Sequence, residues 1–457
     1  MTAKLPRITG RALVLAVTTL IPLFAAAPAG KPNIIFIMAD DMGYADAGAY
    51  GGRYIQTPNI DKLARQGLRF TQAYAGHPVC APSRNVLMTG YHTGHTTIRN
   101  NFGVTGGVTG LGGGAHRIPL RAEDVTVAEV LKKAGYATGM TGKWGLGEPG
   151  TTGLPNDHGF DEWFGYLNQR RAHTYYPTFI WLNKAKFDLP GNADGEKTQY
   201  THDLFTGFAL NFIRRHAGEP FFLYVPYTTP HGGWEIPTID PYESRPWSEQ
   251  QRVYAAMITR MDSHIGLILD LLKELDLADN TIVFFCSDNG AADRYEGLFD
   301  SAGEFRAEKG SVYEGGIRTP FIVRWPGHVP AGAVNDTAPI YFADFLPTAA
   351  ALAGVKPPDG LDGMNILPTL LGEEQDVTNR FLYWETHSRG FHQAGRWRQW
   401  KAVLHSQQPL IELYDLDSDP GEKHNIFAQH RDIVAGFERL FKYGRTDSPY
   451  WPVKKKR

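Results

Sequence analysis

Three short, unbroken apolar runs stand out along the chain: 33–38, 221–225 and 281–286. Each lacks the polar alternation of a half-solvated strand, so each predicts a strand buried on both faces. Residues 136–141 form a fourth strand candidate. Between them the apolar period lengthens to that of a helix. Residues 58–66 put Ile60, Leu63 and Ala64 on one face, with Thr57 as N-cap, Pro58 at the first helical position and Gly67 as the stop. Thr126 and Glu129 have capping-box spacing ahead of the stripe Val127, Val130 and Leu131, which ends at Gly135. A long helical pattern covers 249–275 and a further one 344–352. Strands that alternate with helices predict an α/β fold with a large, mainly parallel sheet flanked by helices.

The strand candidates share their punctuation. Asp40 and Asp41, Lys143, His231, and Asp288 and Asn289 each lie just past the C-terminal end of a strand candidate. In an open parallel sheet that edge is where ligands bind, so these residues predict one site. Residues 100–117 are glycine-rich and read as mostly loop. Residues 150–200, rich in Gly, Asn and aromatics, read as loops over the site. After the Pro-rich segment at Lys356 the pattern changes. From residue 376 short aromatic runs at 381–384 and 397–403 are joined by turns, with a helical pattern at 432–441. This predicts a small C-terminal antiparallel α+β subdomain at 376–457 beside a main domain at 30–375.

Residues 1–29 read as a signal peptide rather than as fold. Lys4, Arg7 and Arg11 precede a mostly apolar stretch at 12–27, and Ala27, Pro28 and Ala29 offer a small-residue cleavage site. An uncleaved anchor is the alternative, although the run is short for a span and no later run is long enough for one. Export to the periplasm or beyond is therefore expected, with no stable membrane span. A composition of 42% hydrophobic and 21% charged residues fits a globular protein, and a formal charge of −2 gives no reason to expect a nucleic-acid partner. Cys80 and Cys286 are the only cysteines, so the fold does not lean on disulfides.

The densest chemistry is the block Cys80-Ala81-Pro82-Ser83-Arg84, followed by Leu87-Met88-Thr89-Gly90. It reads as a turn feeding a helix N-terminus, with Pro82 in the first turn and Ser83 able to cap, an environment that favours an anion or a polarised nucleophile. The carboxylate and amide oxygens of Asp40, Asp41, Asp288 and Asn289 suit a hard divalent cation, and zinc-type His spacing is absent.

The Cys80 block resembles the signature of the type I sulfatases, in the alkaline-phosphatase-like superfamily, and further matches run from about residue 33 to residue 426. The resemblance implies that a formylglycine-generating or maturase enzyme oxidises Cys80 to Cα-formylglycine. It implies Ca²⁺ held by Asp40, Asp41, Asp288, Asn289 and the residue made from Cys80. By the same resemblance Arg84 contacts the formylglycine hydrate, Lys143 and Lys309 bind the sulfate group, and His231 protonates the departing alcohol. One hydroxyl of the hydrated aldehyde attacks sulfur, and the second expels sulfate and restores the aldehyde. The implied substrate is a sulfate ester, such as a sulfated glycan. Many members carry Gly-Lys-Trp-His, whereas this chain has Gly142-Lys143-Trp144-Gly145. His173 is the candidate replacement base or a substrate contact. Arg170 and Arg171 either meet an anionic substrate or solvate their loop, and Trp181 and Trp234 either stack on sugar rings or belong to the core. Two other readings stand beside the sulfatase: a phosphate or phosphonate ester hydrolase, and an inactive sulfate-binding protein.

Overall fold

The computed structural model describes residues 30–111, 113–292, 297–388, 390–406 and 408–453. The expected signal peptide and the basic residues Lys454, Lys455, Lys456 and Arg457 lie outside them. A ten-stranded sheet forms the frame, in the order Ala333–Asn335, Leu68–Phe70, Phe321–Arg324, Thr281–Ser287, Asn33–Ala39, Phe221–Pro226, Ala137–Lys143, Glu162–Tyr166, Phe179–Leu182 and Ala185–Asp188. The three expected apolar runs are its central strands, and every residue in them is buried. That two-sided burial is why they lack alternation.

The central strands are parallel, and Met38 lies opposite both Pro226 and Cys286. Their C-terminal ends are therefore level. Ala137–Lys143 runs parallel beside Phe221–Pro226 and brings Lys143 to the same edge. One face of the sheet packs Phe36 and Phe284 against Val86, Leu87, Leu131 and Leu346 from three helices. The other packs Ile35 and Ile37 against Leu63, Phe212 and Ile265 from three more.

Two local expectations need correction. Residues 150–200 are not only loops: they supply three strands of the sheet. Gly165 obscures the strand Glu162–Tyr166 in the sequence, but it pairs with Gly142, whose carbonyl leaves no room for a Cβ. A glycine within a strand here marks close backbone approach, not a turn. Thr57 does precede the helix Pro58–Gln66, yet its side chain does not cap it. The Asp262 carboxylate accepts from the N–H groups of Asn59 and Ile60 instead.

At the C-terminal end, Phe381–Thr386, His392–Trp397, Trp400–His405 and Gln408–Asp415 form an antiparallel four-stranded sheet. The helix Arg431–Tyr443 covers it through Val434, Phe437 and Phe441. This sheet is tied to the main body by buried polar contacts. Lys401 Nζ pairs with Glu314 at 2.9 Å, and the Trp384 indole N–H donates to the Ala75 carbonyl at 2.9 Å. Among the described residues no helix is long and apolar enough to cross a membrane.

Candidate active site

The level strand ends gather the expected residues into one cluster. Cys80 is the first residue of the helix Cys80–Thr89, and that helix is buried along its length. Ser83 does not cap the helix. Its hydroxyl donates to the Asp288 carbonyl at 2.5 Å and accepts from Gly76 N–H at 3.1 Å, which fixes the helix start against the end of Thr281–Ser287. Arg84 reaches the same place. Its Nε and one terminal nitrogen donate to Asp288 Oδ2 at 3.1 and 2.8 Å, and its other terminal nitrogen donates to the Lys143 carbonyl at 2.8 Å.

Two lysines complete the centre. Lys143 Nζ lies 2.6 Å from Asp40 Oδ2. Lys309 Nζ lies 2.5 Å from Asp41 Oδ1 and 3.5 Å from Cys80 Sγ. Cys80 Sγ is 3.6 Å from Asp40 Oδ1. His231 Nε2 sits 3.3 Å from Asp41 Oδ2, and its Nδ1 is 3.0 Å from the Gly232 carbonyl. Asp41 adopts a left-handed backbone, φ 69°, which turns its carboxylate back over the strand ends. Asn289 Nδ2 donates to Asp41 Oδ1 at 2.9 Å.

The electrostatics follow from burying so many ionic groups together. Three buried carboxylates, Asp40, Asp41 and Asp288, face three cations, Arg84, Lys143 and Lys309. Burial pushes the Asp41 carboxyl up, but Lys309 and His231 outweigh it and hold the group far below the usual carboxylate range. Burial and the neighbouring Asp40 raise Asp288, and Arg84 opposes them. Burial pushes the Cys80 thiol up to about 12 despite the two lysines, so the unmodified side chain is a neutral thiol rather than a thiolate nucleophile. Burial also lowers His231 to about 3.

The donor set fits a hard divalent cation. Asp40, Asp41, Cys80 and His231 present ligand atoms within 4.8 Å of one another. Asp288 and Asn289 border them, and the buried Asn289 Oδ1 has no hydrogen-bond partner. Oxygen-dominated donors of this kind suit a cation that takes about six to eight oxygens.

His173 is placed against His231, with ring centroids 3.6 Å apart and planes 10° from parallel, and its Nε2 has no hydrogen-bond partner. It does not occupy the space beside Gly145. There a Cβ would collide with the amide nitrogen of Gln169. Gln169, together with Arg117, escaped the sequence reading; Gly145 was its only trace. Arg170 is exposed, and the Arg171 guanidinium lies over the Phe179 ring at 4.0 Å. Trp181 packs against one main core cluster and Trp234 against the other. A second group, His92, His95 and Asp362, also has closely spaced ligand atoms. His92 Nδ1 accepts from Gly94 N–H at 3.1 Å, so its Nε2 carries the proton of the neutral ring and points at Asp362 as a donor rather than a free metal ligand.

Comparisons with known proteins point to one family. The sulfatase family profile matches residues 32–355, and a profile described as N-sulphoglucosamine sulphohydrolase, C-terminal, matches 303–441. Human N-acetylgalactosamine-6-sulfatase is 36% identical over 367 residues, which is 74% of this chain and 66% of the human protein. Bovine arylsulfatase A is 32% identical over 452 residues, 88% of this chain and 84% of the relative. A crystal structure of Ps i-CgsB in complex with k-i-k-neocarrahexaose superposes with a TM-score of 0.80 at 30% identity, covering 92% of this chain and 95% of the other. The architecture is the alkaline-phosphatase-like one, and the chain belongs to the sulfatase family.

Proposed function

We propose that the chain hydrolyses sulfate esters of carbohydrates, using Cα-formylglycine made from Cys80 and a Ca²⁺ ion held by Asp40, Asp41, Asp288 and Asn289. The observation that carries this reading is the convergence of both lysines, Arg84 and His231 around Cys80 within one buried cluster. The aldehyde, once hydrated, supplies an oxygen nucleophile, and the cation supplies positive charge that acidifies it.

The chain's own residues do the rest. Arg84 fixes the helix that carries residue 80 to the strand bearing Asp288. Lys143 and Lys309 point ammonium groups at the space over residue 80, where the transferring sulfuryl group gathers negative charge. The cluster is balanced at three carboxylates and three cations. Adding a divalent cation leaves it net positive, which favours a sulfate monoester anion. His231 protonates the departing alcohol; burial keeps its imidazole neutral in the free enzyme, so it takes up the proton it gives when the anionic substrate binds beside it. His173, stacked on it, belongs to the leaving-group side and contacts the substrate there. The names of two similar proteins point to carbohydrate: N-acetylgalactosamine 6-sulfate for the human relative and a neocarrahexaose for the crystal structure. The same reading takes residues 1–29 as an export signal, 30–375 as the catalytic domain and 376–457 as the C-terminal subdomain, with a formylglycine-generating or maturase enzyme as partner in maturation.

The test is sulfate release. Protein co-produced with a formylglycine-generating enzyme and supplied with Ca²⁺ is expected to liberate inorganic sulfate from N-acetylgalactosamine 6-sulfate or p-nitrophenyl sulfate, and Cys80→Ala is expected to be inactive. Faster turnover of a phosphate or phosphonate ester by the same preparation would overturn the assignment.

A further inference from the structure

Gln169 is the least explained side chain beside the cluster. It is 4% exposed, and neither its Oε1 nor its Nε2 has a hydrogen-bond partner. A buried amide with no partner is costly, so such a group is retained where something else satisfies it. Gln169 lines a small cavity of about 10 Å³, room for about one water. Ala81, the residue after Cys80, lines the same cavity, as do Asn101, Arg117 and Gly145. Arg117 Nε is also buried without a partner, while Arg117 donates from another nitrogen to the Asn101 carbonyl at 2.9 Å. Asn101 in turn accepts from Ala81 N–H at 3.0 Å. Burial lowers the Arg117 guanidinium below its ordinary value, and Glu148 and then Cys80 oppose it. Two unsatisfied polar side chains thus converge on the start of the helix that carries residue 80.

Gly145 explains why Gln169 can be there. Its backbone is left-handed, φ 81°, and a Cβ would strike Gln169 Nε2. Position 145 and the Gln169 amide compete for one space, so a side chain at one excludes the other.

We propose that Gln169 is a positioning residue for the reaction: its amide fills the space that a side chain at position 145 would take and hydrogen-bonds the oxidised group at position 80. An amide neither gains nor loses a proton near neutral pH, so it holds the reacting group without serving as a base. This inference rests on the sulfatase reading above.

The test compares fully modified enzyme, matched for formylglycine content by peptide mass, on p-nitrophenyl sulfate and N-acetylgalactosamine 6-sulfate. Gln169→Met keeps the volume and removes the amide. It is expected to lower kcat by about tenfold to a hundredfold with KM little changed. Gly145→His alone is expected to lose both activity and melting temperature, because the Gln169 amide must move. The double variant Gly145→His/Gln169→Ala relieves that clash, and its kcat is expected to gain an ionisation between about pH 5 and pH 8 that the native enzyme lacks. An active native enzyme whose Gln169→Met variant keeps kcat within about twofold overturns the inference while leaving the sulfatase reading intact. A native enzyme that carries formylglycine and releases no sulfate from either probe overturns the sulfatase reading, and the inference falls with it.

Discussion

Replacing Arg84 with Met separates what the cluster does for stability from what it does for chemistry. Arg84 is fully buried and holds Asp288 Oδ2 through two hydrogen bonds of 3.1 and 2.8 Å. Arg84→Met fills similar volume but leaves Asp288 buried near Asp40 with only the two lysines to balance three carboxylates. Removing one partner of a buried ion pair costs about 3–5 kcal/mol. For a chain of 457 residues the entropy of unfolding is about 1 kcal/mol per kelvin, so the melting temperature should fall by about 3–5 °C. Adding Asp288→Asn removes the stranded charge and restores the balance at two against two. The double variant should regain at least half of the loss, about 2 °C or more. The assay is differential scanning calorimetry in a chelator, so that a bound cation does not mask the charge imbalance. Neither variant should hydrolyse sulfate esters, because the helix bearing residue 80 loses the Arg84 tether and keeps only that of Ser83. A single variant that melts within about 1 °C of the native protein, or a double variant that melts below the single one, would refute the charge argument.

Further outcomes follow from other parts of the molecule. His231→Ala should reduce kcat by about 10²–10⁴-fold on N-acetylgalactosamine 6-sulfate and far less on p-nitrophenyl sulfate, whose leaving group needs little protonation; steady-state kinetics on the two probes measure the difference. Chelation should lower the melting temperature, and calcium at about a hundred times its dissociation constant should add about 2.7 kcal/mol to stability, read by calorimetry across a calcium titration. Glu422 is held up at about 7 by burial and Glu314, against Lys401. Its raised value makes the folded state bind an extra proton between the unfolded carboxylate value and about 7, so its charging destabilises the fold as pH rises through 7. Glu422→Gln should therefore raise the melting temperature at about pH 8 and leave it unchanged at about pH 5. Cys286 is fully buried, and burial raises its thiol well above the ordinary range. A thiol reagent should find no reactive cysteine in the native protein and only Cys286 after denaturation of fully converted enzyme.

Much of the site was legible because burial on both faces leaves a plain mark. The central strands had to be apolar over most of their length, so the carboxylates and the amide just after them, Asp40, Asp41, Asp288 and Asn289, announced the edge of the sheet. Lys309 was different. It lies on a loop with no periodic pattern, and only its match to a family motif marked it. The strand Glu162–Tyr166 was hidden because Gly165, needed for close approach to Gly142, imitates a turn signal. The cap of the helix Pro58–Gln66 was misplaced because Asp262 reaches it from a helix far along the chain, and local spacing carries no trace of such a contact. Gln169 escaped for a related reason. A lone glutamine in a loop has no signature, and its importance comes from Gly145, a residue defined by the side chain it lacks. The tie of Lys401, in the C-terminal sheet, to Glu314 of the main body is also a long-range pair that sequence order does not reveal.

The central claim is that residue 80 acts as an aldehyde and not as a thiol. The mass of the tryptic peptide spanning residues 70–84, from protein produced with the formylglycine-generating enzyme, tests this directly. Conversion exchanges the sulfur and two hydrogens of Cys80 for one oxygen, and the account predicts a peptide lighter by that difference that also reacts with a hydrazide. A peptide that retains an intact thiol under those conditions, from protein that still releases sulfate, would contradict it.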